Sequence, residues 1–459
     1  MRTTAVLAGT LLLASLAFAQ VPASPVAGTW EGALETGALK LRIGVSITVQ
    51  PDGQLSAKMD SPDQGAYGLP LDGVAFSGGV LTFALTRANG RFEGKLSGTG
   101  SEIEGTWTQG IAFPLVLKRV EKLSRPSRPQ EPKPPFPYRS EEITVVNAAA
   151  SVTLAGTLTT PEGKGPFPGV VLITGSGLQN RDEELMGHKP FLVLADYLTR
   201  QGIAVLRYDD RGGGKSTGNF ATATSEDFAG DALAAWQALR ARPGVDPRRV
   251  GLLGHSEGAL IAPMLAARTP EVAFVVMLAG PGVPGDQILL RQGADILKAS
   301  GAPDAVIAAN TDVQKLVFAV LREEADSTRV AGRLAAIALP GSKEASAAIV
   351  KQASSPWFRF FVRYDPAPAL EKVTCPVLAI GGERDLQVSV DQNLPAIEAA
   401  LKRGGNKDCT VLRLPGLNHL FQDSKTGLPA EYATIEETMS PIALDTIAAW
   451  IRKRTGLAK

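Results

Sequence analysis

Residues 250–266 read VGLLGHSEGALIAPMLA. Val250 to Leu253 is a short apolar run of the kind a buried strand shows, and the apolar residues after Gly258 recur at helical spacing. Between them, Gly254-His255-Ser256-Glu257-Gly258 sets a serine midway between two glycines. Glycines two positions on either side permit a strained strand-to-helix turn that lifts the serine hydroxyl above the end of a sheet. The stretch predicts a sheet flanked by helices and makes Ser256 a candidate nucleophile.

The sequence around it has the same rhythm. The apolar runs EITVV, VTLAGTL, GVVLIT, IAVLRY, AFVVMLA, PVLAIGG and TVLRL read as strands, and between the later ones lie amphipathic stretches such as PFLVLADYLTRQG and VDQNLPAIEAALKRG. Strands alternating with helices build a mostly parallel sheet covered on both faces. The first two runs are close enough to form an antiparallel start.

A serine hydroxyl needs a base, and the chain has three histidines. His255 sits inside the turn, where its side chain points away from the neighbouring hydroxyl. His188, in GHKPF, precedes a helical run and reads as a hydrogen-bonded loop residue shaping the site mouth. His419, in PGLNHLF, follows the last strand, where the order nucleophile, acid, base puts it. The acid should follow the strand before, which runs into Glu383-Arg384-Asp385. Asp385 is the expected acid and Glu383 the reserve. Backbone donors for an oxyanion are expected at Glu257, directly after the serine, and at Ser176 or Gly177 in the turn Thr174-Gly175-Ser176-Gly177. Nearby Arg181, Asp182 and Glu183 read as a salt-bridged loop support. Gly212-Gly213-Gly214-Lys215-Ser216 looks like the end of a phosphate-binding loop, but that motif needs glycine at position 209, where Asp209 stands.

The front of the chain is different. From about 26 to 120, short runs such as LKLRIGVSITV and GVLTFAL alternate apolar and polar residues between turns such as Asn89-Gly90, the pattern of an all-β barrel or sandwich. GTWEG at Gly28 to Gly32 returns as GTWTQG at Gly105 to Gly110, and Trp30 and Trp107 read as core plugs, with a ligand-binding barrel as the other reading. Arg125 to Pro137 carries six prolines in thirteen residues, a semi-rigid spacer. Arg2, the apolar run Ala5–Leu16 and Ala17-Phe18-Ala19 read as an export signal cleaved after Ala19. The expected organisation is a signal at 1–19, a β-rich domain at 20–122, a linker at 123–139 and an α/β domain at 140–459. With 47 basic against 46 acidic residues, no global field favours nucleic acid or an anionic membrane. No membrane span is expected after signal cleavage.

Taken together, ITGSGLQNRDE, GHKPFLVLADYL, RYDDRGGGKSTG, GHSEG, SPWFRFFVRYDP and GGERDLQV resemble bacterial secreted α/β-hydrolases of the carboxylesterase type, near the serine aminopeptidase-like branch. The front segment is similar, more weakly, to small lipocalin-like barrels. The resemblance implies an α/β-hydrolase fold after a small all-β barrel, with nucleophile Ser256, acid Asp385, base His419 and an oxyanion turn at Gly175–Gly177. It also has Arg211 bracing loops beside the serine turn. It implies hydrolysis of small carboxylic esters without metal or cofactor. A peptidase or amidase on the same triad, and a catalytically inert envelope binding protein, are the competing readings. About ninety residues, 283–373, separate two strands and pattern as a helical cap, in which Trp357 and Phe358 are candidates for the acyl-pocket wall or for core packing. Cys375 and Cys409 precede neighbouring strands, as a disulfide pair or as two buried thiols.

Overall fold

A computed structural model describes residues 24–36, 39–124, 126–337 and 343–457. The expected signal at 1–19 lies outside the described residues. The chain divides between Arg125 and Pro126 into two compact units.

In the first unit, eight antiparallel strands pair each with the next: β1 (Gly28–Thr36), β2 (Leu39–Val49), β3 (Leu55–Ser61), β4 (Ala66–Ser77), β5 (Val80–Leu85), β6 (Gly90–Leu96), β7 (Glu102–Gln109) and β8 (Ile111–Val120). β1 also pairs with β8, which closes the barrel and removes its open edges. Alternate residues of β5 and β6 point inward, as the two-residue period requires. Trp30 is wholly buried, donates its indole N–H to the Val26 carbonyl at 2.8 Å, and carries the Arg119 guanidinium 4.2 Å from its ring. Trp107 packs on Phe83, which stacks on Phe92. The interior is a packed core built around these rings.

The second unit holds one eight-stranded sheet: β9 (Tyr138–Asn147), β10 (Val152–Pro161), β11 (Phe167–Ile173), β12 (Ala204–Tyr208), β13 (Val245–His255), β14 (Val275–Leu278), β15 (Val377–Gly382) and β16 (Cys409–Leu414). In space the order is β9-β10-β12-β11-β13-β14-β15-β16, antiparallel as far as β12 and parallel from there on. Successive residues of β11 serve opposite faces. Val170 and Leu172 pack with α1 (Pro190–Arg200) on one face, and Val171 and Ile173 with α2 (Ser225–Arg240) and α3 (Glu257–Ala266) on the other. That two-sided burial is why the central strands read as continuous apolar runs. Between β14 and β15 lie α4 (Gly285–Ala299), α5 (Asp304–Glu323), α6 (Ser327–Ala335), α7 (Lys343–Ala353), α8 (Pro356–Arg363) and α9 (Ala367–Leu370). These helices have a core of their own around Phe318, Leu321 and Val330. α10 (Val390–Arg403) follows β15, and α11 (Pro441–Thr455) ends the fold, packing on the α1 face. Among the described residues no helix is long and apolar enough to cross a membrane.

The cysteines do not pair. Both are free thiols, because the β15–β16 register sets Cys409 opposite Val377, two residues past Cys375. A two-residue stagger on adjacent strands separates Cα atoms by about 8 Å, beyond disulfide reach. Burial pushes the Cys375 thiol up to about 12 and the Cys409 thiol up to about 11, so neither is a ready thiolate.

Candidate active site

β13 passes into α3 through Ser256, which caps the helix with φ 52° and ψ −114°. This is a left-handed backbone that a non-glycine residue adopts only when its surroundings enforce it, at a cost of about 1–3 kcal/mol. The enforcement is visible. Ser256 donates its N–H to the Leu278 carbonyl at 2.8 Å, and its own carbonyl accepts from Ala259 N–H at 3.0 Å. A Cβ on Gly254 would lie 2.0 Å from the Gly258 carbonyl carbon, and one on Gly258 would lie 2.0 Å from the Ile173 oxygen. The two glycines let strand, turn and helix press together, and the serine takes the strain. Ser256 itself stays half-buried.

The loops after β15 and β16 bring Asp385 and His419 into contact. His419 Nδ1 lies 2.8 Å from Asp385 Oδ2, and both residues are buried. The second carboxylate oxygen, Oδ1, accepts from the N–H groups of Gln387 at 2.8 Å and Val388 at 2.9 Å. Three donors thus hold Asp385 in one orientation, whereas Glu383 is exposed. With Nδ1–H donating to the carboxylate, His419 Nε2 is left with its lone pair, the tautomer a general base needs. The Asn418 side-chain oxygen accepts from the N–H groups of Leu420 and Gln422, both at 3.0 Å, and shapes the loop that carries this ring.

His188 is wholly buried and does not shape a mouth. Its ring nitrogens meet Thr438 Oγ1 at 3.0 Å and the Tyr432 carbonyl at 2.7 Å, and burial, reinforced by Arg128, lowers its pKa to about 4. It is a neutral strut.

Within the oxyanion turn the donors are not equivalent. Gly175 N–H is committed to Glu183 Oε1 at 2.7 Å, which removes it from the Gly175–Gly177 set. Ser176 and Gly177 N–H have no acceptor among the described residues. Glu257 N–H, at the first position of α3, has no partner within the helix. The turn abuts the serine, since a Cβ on Gly175 would sit 3.3 Å from Ser256 Cβ. Behind it, Asp210 accepts from Thr174 Oγ1 and Gln179 N–H, each at 2.8 Å. Burial, helped by the Glu257 and Glu183 carboxylates, raises Asp210 to about 8 against those two donors.

The Glu257 carboxyl is buried, and burial raises its pKa; Oε1 accepts from Ser225 Oγ at 2.6 Å and from Trp357 Nε1 at 2.7 Å. That second bond ties α8 to the residue after the serine. Trp357 stacks on Phe361 at 5.4 Å and packs with Leu260 and Val388, whereas Phe358 packs on Phe318 at 6.4 Å in the helices' own core. Neighbours on a helix point about 100° apart, so the two rings serve different faces.

Arg181 and Asp182 are loop supports, on Asp209 and Arg207 respectively. Glu183 is also a support, but its partners lie elsewhere than the sequence suggested: its Oε1 reaches Gly175 N–H and His255 Nδ1. Its one local signal is its place among the charged residues Arg181, Asp182 and Glu184 just after the glycine turn. Arg211 grips Asp231 through two bonds of 2.7 and 2.9 Å. The Gly212–Ser216 loop folds around the Asp209 side chain, with Lys215 N–H 3.2 Å from Asp209 Oδ2. Among the described residues no group of three or more His, Cys, Asp or Glu is placed to hold a metal.

Residues 189–424 match the family described as serine aminopeptidase, S33. Over 302 residues, 65% of this chain, the sequence is 30% identical to the esterase EstD of Thermotoga maritima, spanning 66% of that protein. An 83-residue stretch, 18% of this chain, is 39% identical to an uncharacterized protein of Mycobacterium tuberculosis and spans 28% of its length. Among solved structures, an esterase of Pyrococcus furiosus gives a TM-score of 0.45 at 16% identity, covering 72% of this chain and 99% of that one. With the family match extending over more than half of its residues, the chain belongs to the serine aminopeptidase S33 family, as an α/β hydrolase preceded by a closed β-barrel.

Proposed function

We propose that the protein is a serine carboxylic ester hydrolase for short to medium acyl esters, working through an acyl-enzyme. The observation that carries this reading is the Asp385–His419 bond, in a loop whose His419 carbonyl meets the ring of His255, the residue before the strained Ser256. Ser256 Oγ attacks the ester carbonyl as its proton passes to His419 Nε2, and Asp385 stabilises the imidazolium. The oxyanion meets the N–H of Glu257 and of Ser176 or Gly177. The C–O bond then breaks, and the alcohol leaves with the proton from His419. Water repeats the sequence: it gives its proton to His419, attacks the acyl carbon and releases the acid, and Ser256 regains its proton.

Ester is favoured over peptide because the three carboxylates bonded into the turn and the serine helix, Glu183, Asp210 and Glu257, face inward. Glu257 is bonded to Ser225 and Trp357, Asp210 to Thr174 and Gln179, and Glu183 to Gly175 and His255. An aminopeptidase needs an accessible carboxylate for the substrate ammonium, and these three are buried. The test pairs a fluorophosphonate label with a chain-length series of aryl esters and aminoacyl anilides. Labelling at Ser256 with ester turnover well above anilide turnover supports the proposal. Anilide preference makes the enzyme a peptidase, and an unlabelled folded protein makes it an inert binder. Export is proposed from residues 1–19 alone, and sequencing the mature N-terminus checks it.

A further inference from the structure

His255 stands next to the candidate nucleophile and is no base for it, yet its surroundings are built. Its ring is buried, with Nδ1 2.9 Å from Glu183 Oε1 and Nε2 2.9 Å from the His419 carbonyl oxygen. A carboxylate and a carbonyl only accept, so both bonds together require a proton on each ring nitrogen. Glu183 Oε1 also accepts from Gly175 N–H at 2.7 Å. One chain of hydrogen bonds therefore runs from the oxyanion turn through Glu183 and His255 to the backbone of the base. These parts are distant in sequence, Glu183 and His255 being 72 positions apart and His255 and His419 164.

We propose that Glu183 and His255 form a buried carboxylate–imidazolium pair that positions the oxyanion turn and the His419 loop against Ser256. The proposal rests on the serine-hydrolase reading of Ser256, Asp385 and His419. Two features say that the pair is held in this position at a cost. Glu183 Oε2 is buried with no partner among the described residues, an unmet cost that an apolar side chain would avoid. Glu183 also has a left-handed backbone, φ 52°, so its reach toward Gly175 is enforced against local preference.

The charge has a purpose too. Glu183 Oε1 and Ser256 Cβ each lie 3.3 Å from the point a Cβ on Gly175 would occupy. A lone carboxylate there opposes a developing oxyanion, and a proton held on His255 cancels it. The titratable groups facing His255 are Glu183, Asp385 and His419, whose ring centroid is 4.8 Å away. Burial pulls the imidazolium down, but the Glu183 charge and bond, the His419 carbonyl and Asp385 together leave it raised.

The test compares Glu183→Gln, His255→Gln and Ser256→Ala with the wild type on a short aryl ester across pH, beside 15N NMR of the wild-type imidazoles. The amide of the Glu183→Gln variant keeps an oxygen for Gly175 but loses the charge. Glu183→Gln is expected to lower kcat about 10- to 100-fold with KM little changed, and to move the alkaline limb of kcat to lower pH. NMR should show one histidine, absent in His255→Gln, protonated on both nitrogens at pH 7. A neutral His255 overturns the proposal even if the variants fail to fold. It is equally overturned by folded variants with wild-type kcat and pH profile, or by a loss that only tracks the folded fraction. Absence of ester turnover and of fluorophosphonate labelling in the wild type defeats the hydrolase reading instead, and the NMR result separates the two failures.

Discussion

GTWEG, at Gly28 to Gly32, and GHSEG, at Gly254 to Gly258, have the same length, the same terminal glycines and the same glutamate. In both, the last glycine permits a backbone approach that a side chain would block: a Cβ on Gly32 would lie 2.3 Å from the Val116 oxygen, and one on Gly258 would lie 2.0 Å from the Ile173 oxygen. The middle residues differ. Trp30 lies in a regular strand opposite Val45 and is wholly buried, whereas Ser256 is left-handed and half-buried. Close backbone packing is common to a core and a site. What separates them is whether the chain continues as strand or turns into a helix, since only the turn leaves a polar side chain at the sheet edge.

The largest effect that could break this contrast is chemical. Ser256→Ala should lower ester turnover by roughly four to six orders of magnitude without unfolding the chain, as read by kcat and circular dichroism. Near-normal turnover would reduce GHSEG to a packing motif like its barrel counterpart. Next, Asp385→Asn should cost about 10³- to 10⁴-fold in kcat, and Glu383→Gln almost nothing, because only Asp385 fixes the His419 tautomer. Equal losses would show that the exposed acid takes part.

Trp30→Ala sharpens the contrast from the other side. Losing the largest buried ring of the barrel should cost about 3–5 kcal/mol in the first unit, seen by calorimetry, with ester kcat unchanged. A parallel loss of activity would mean that the barrel takes part in the reaction.

Two buried histidines give a smaller, pH-dependent effect of opposite sign. His188 has a folded pKa lowered to about 4, so its contribution is complete above its unfolded pKa and is lost as pH falls from there through about 4. The loss amounts to at most roughly 3 kcal/mol. His255 has a raised pKa, so its contribution is present below the unfolded value and is lost as pH rises through the folded one. Urea midpoints against pH for His188→Gln and His255→Gln should lose the acid and alkaline slopes respectively. The smallest effect is at Trp357: Trp357→Phe removes the bond to Glu257 and should shift the preferred acyl length by a few-fold in kcat/KM. An unchanged profile would leave Trp357 as core alone.

Local pattern was enough for much of this. Two-residue alternation wrote the barrel, continuous apolar runs wrote the central strands, and Gly254 and Gly258 marked the serine turn, because each follows from neighbours a few residues apart. With three histidines in the chain, order along the sheet was enough to single out His419 as the candidate base. Tertiary structure decided the rest, where the answer depends on side-chain direction or on strand register. It placed Asp385 rather than Glu383 against His419, turned Trp357 and Phe358 to different faces, and staggered Cys375 from Cys409 by two residues. It also joined Glu183 to His255 across 72 residues. Spacing in sequence carries no record of that contact, because a loop between two strands and a turn after a third meet only once the parallel sheet has brought their ends together.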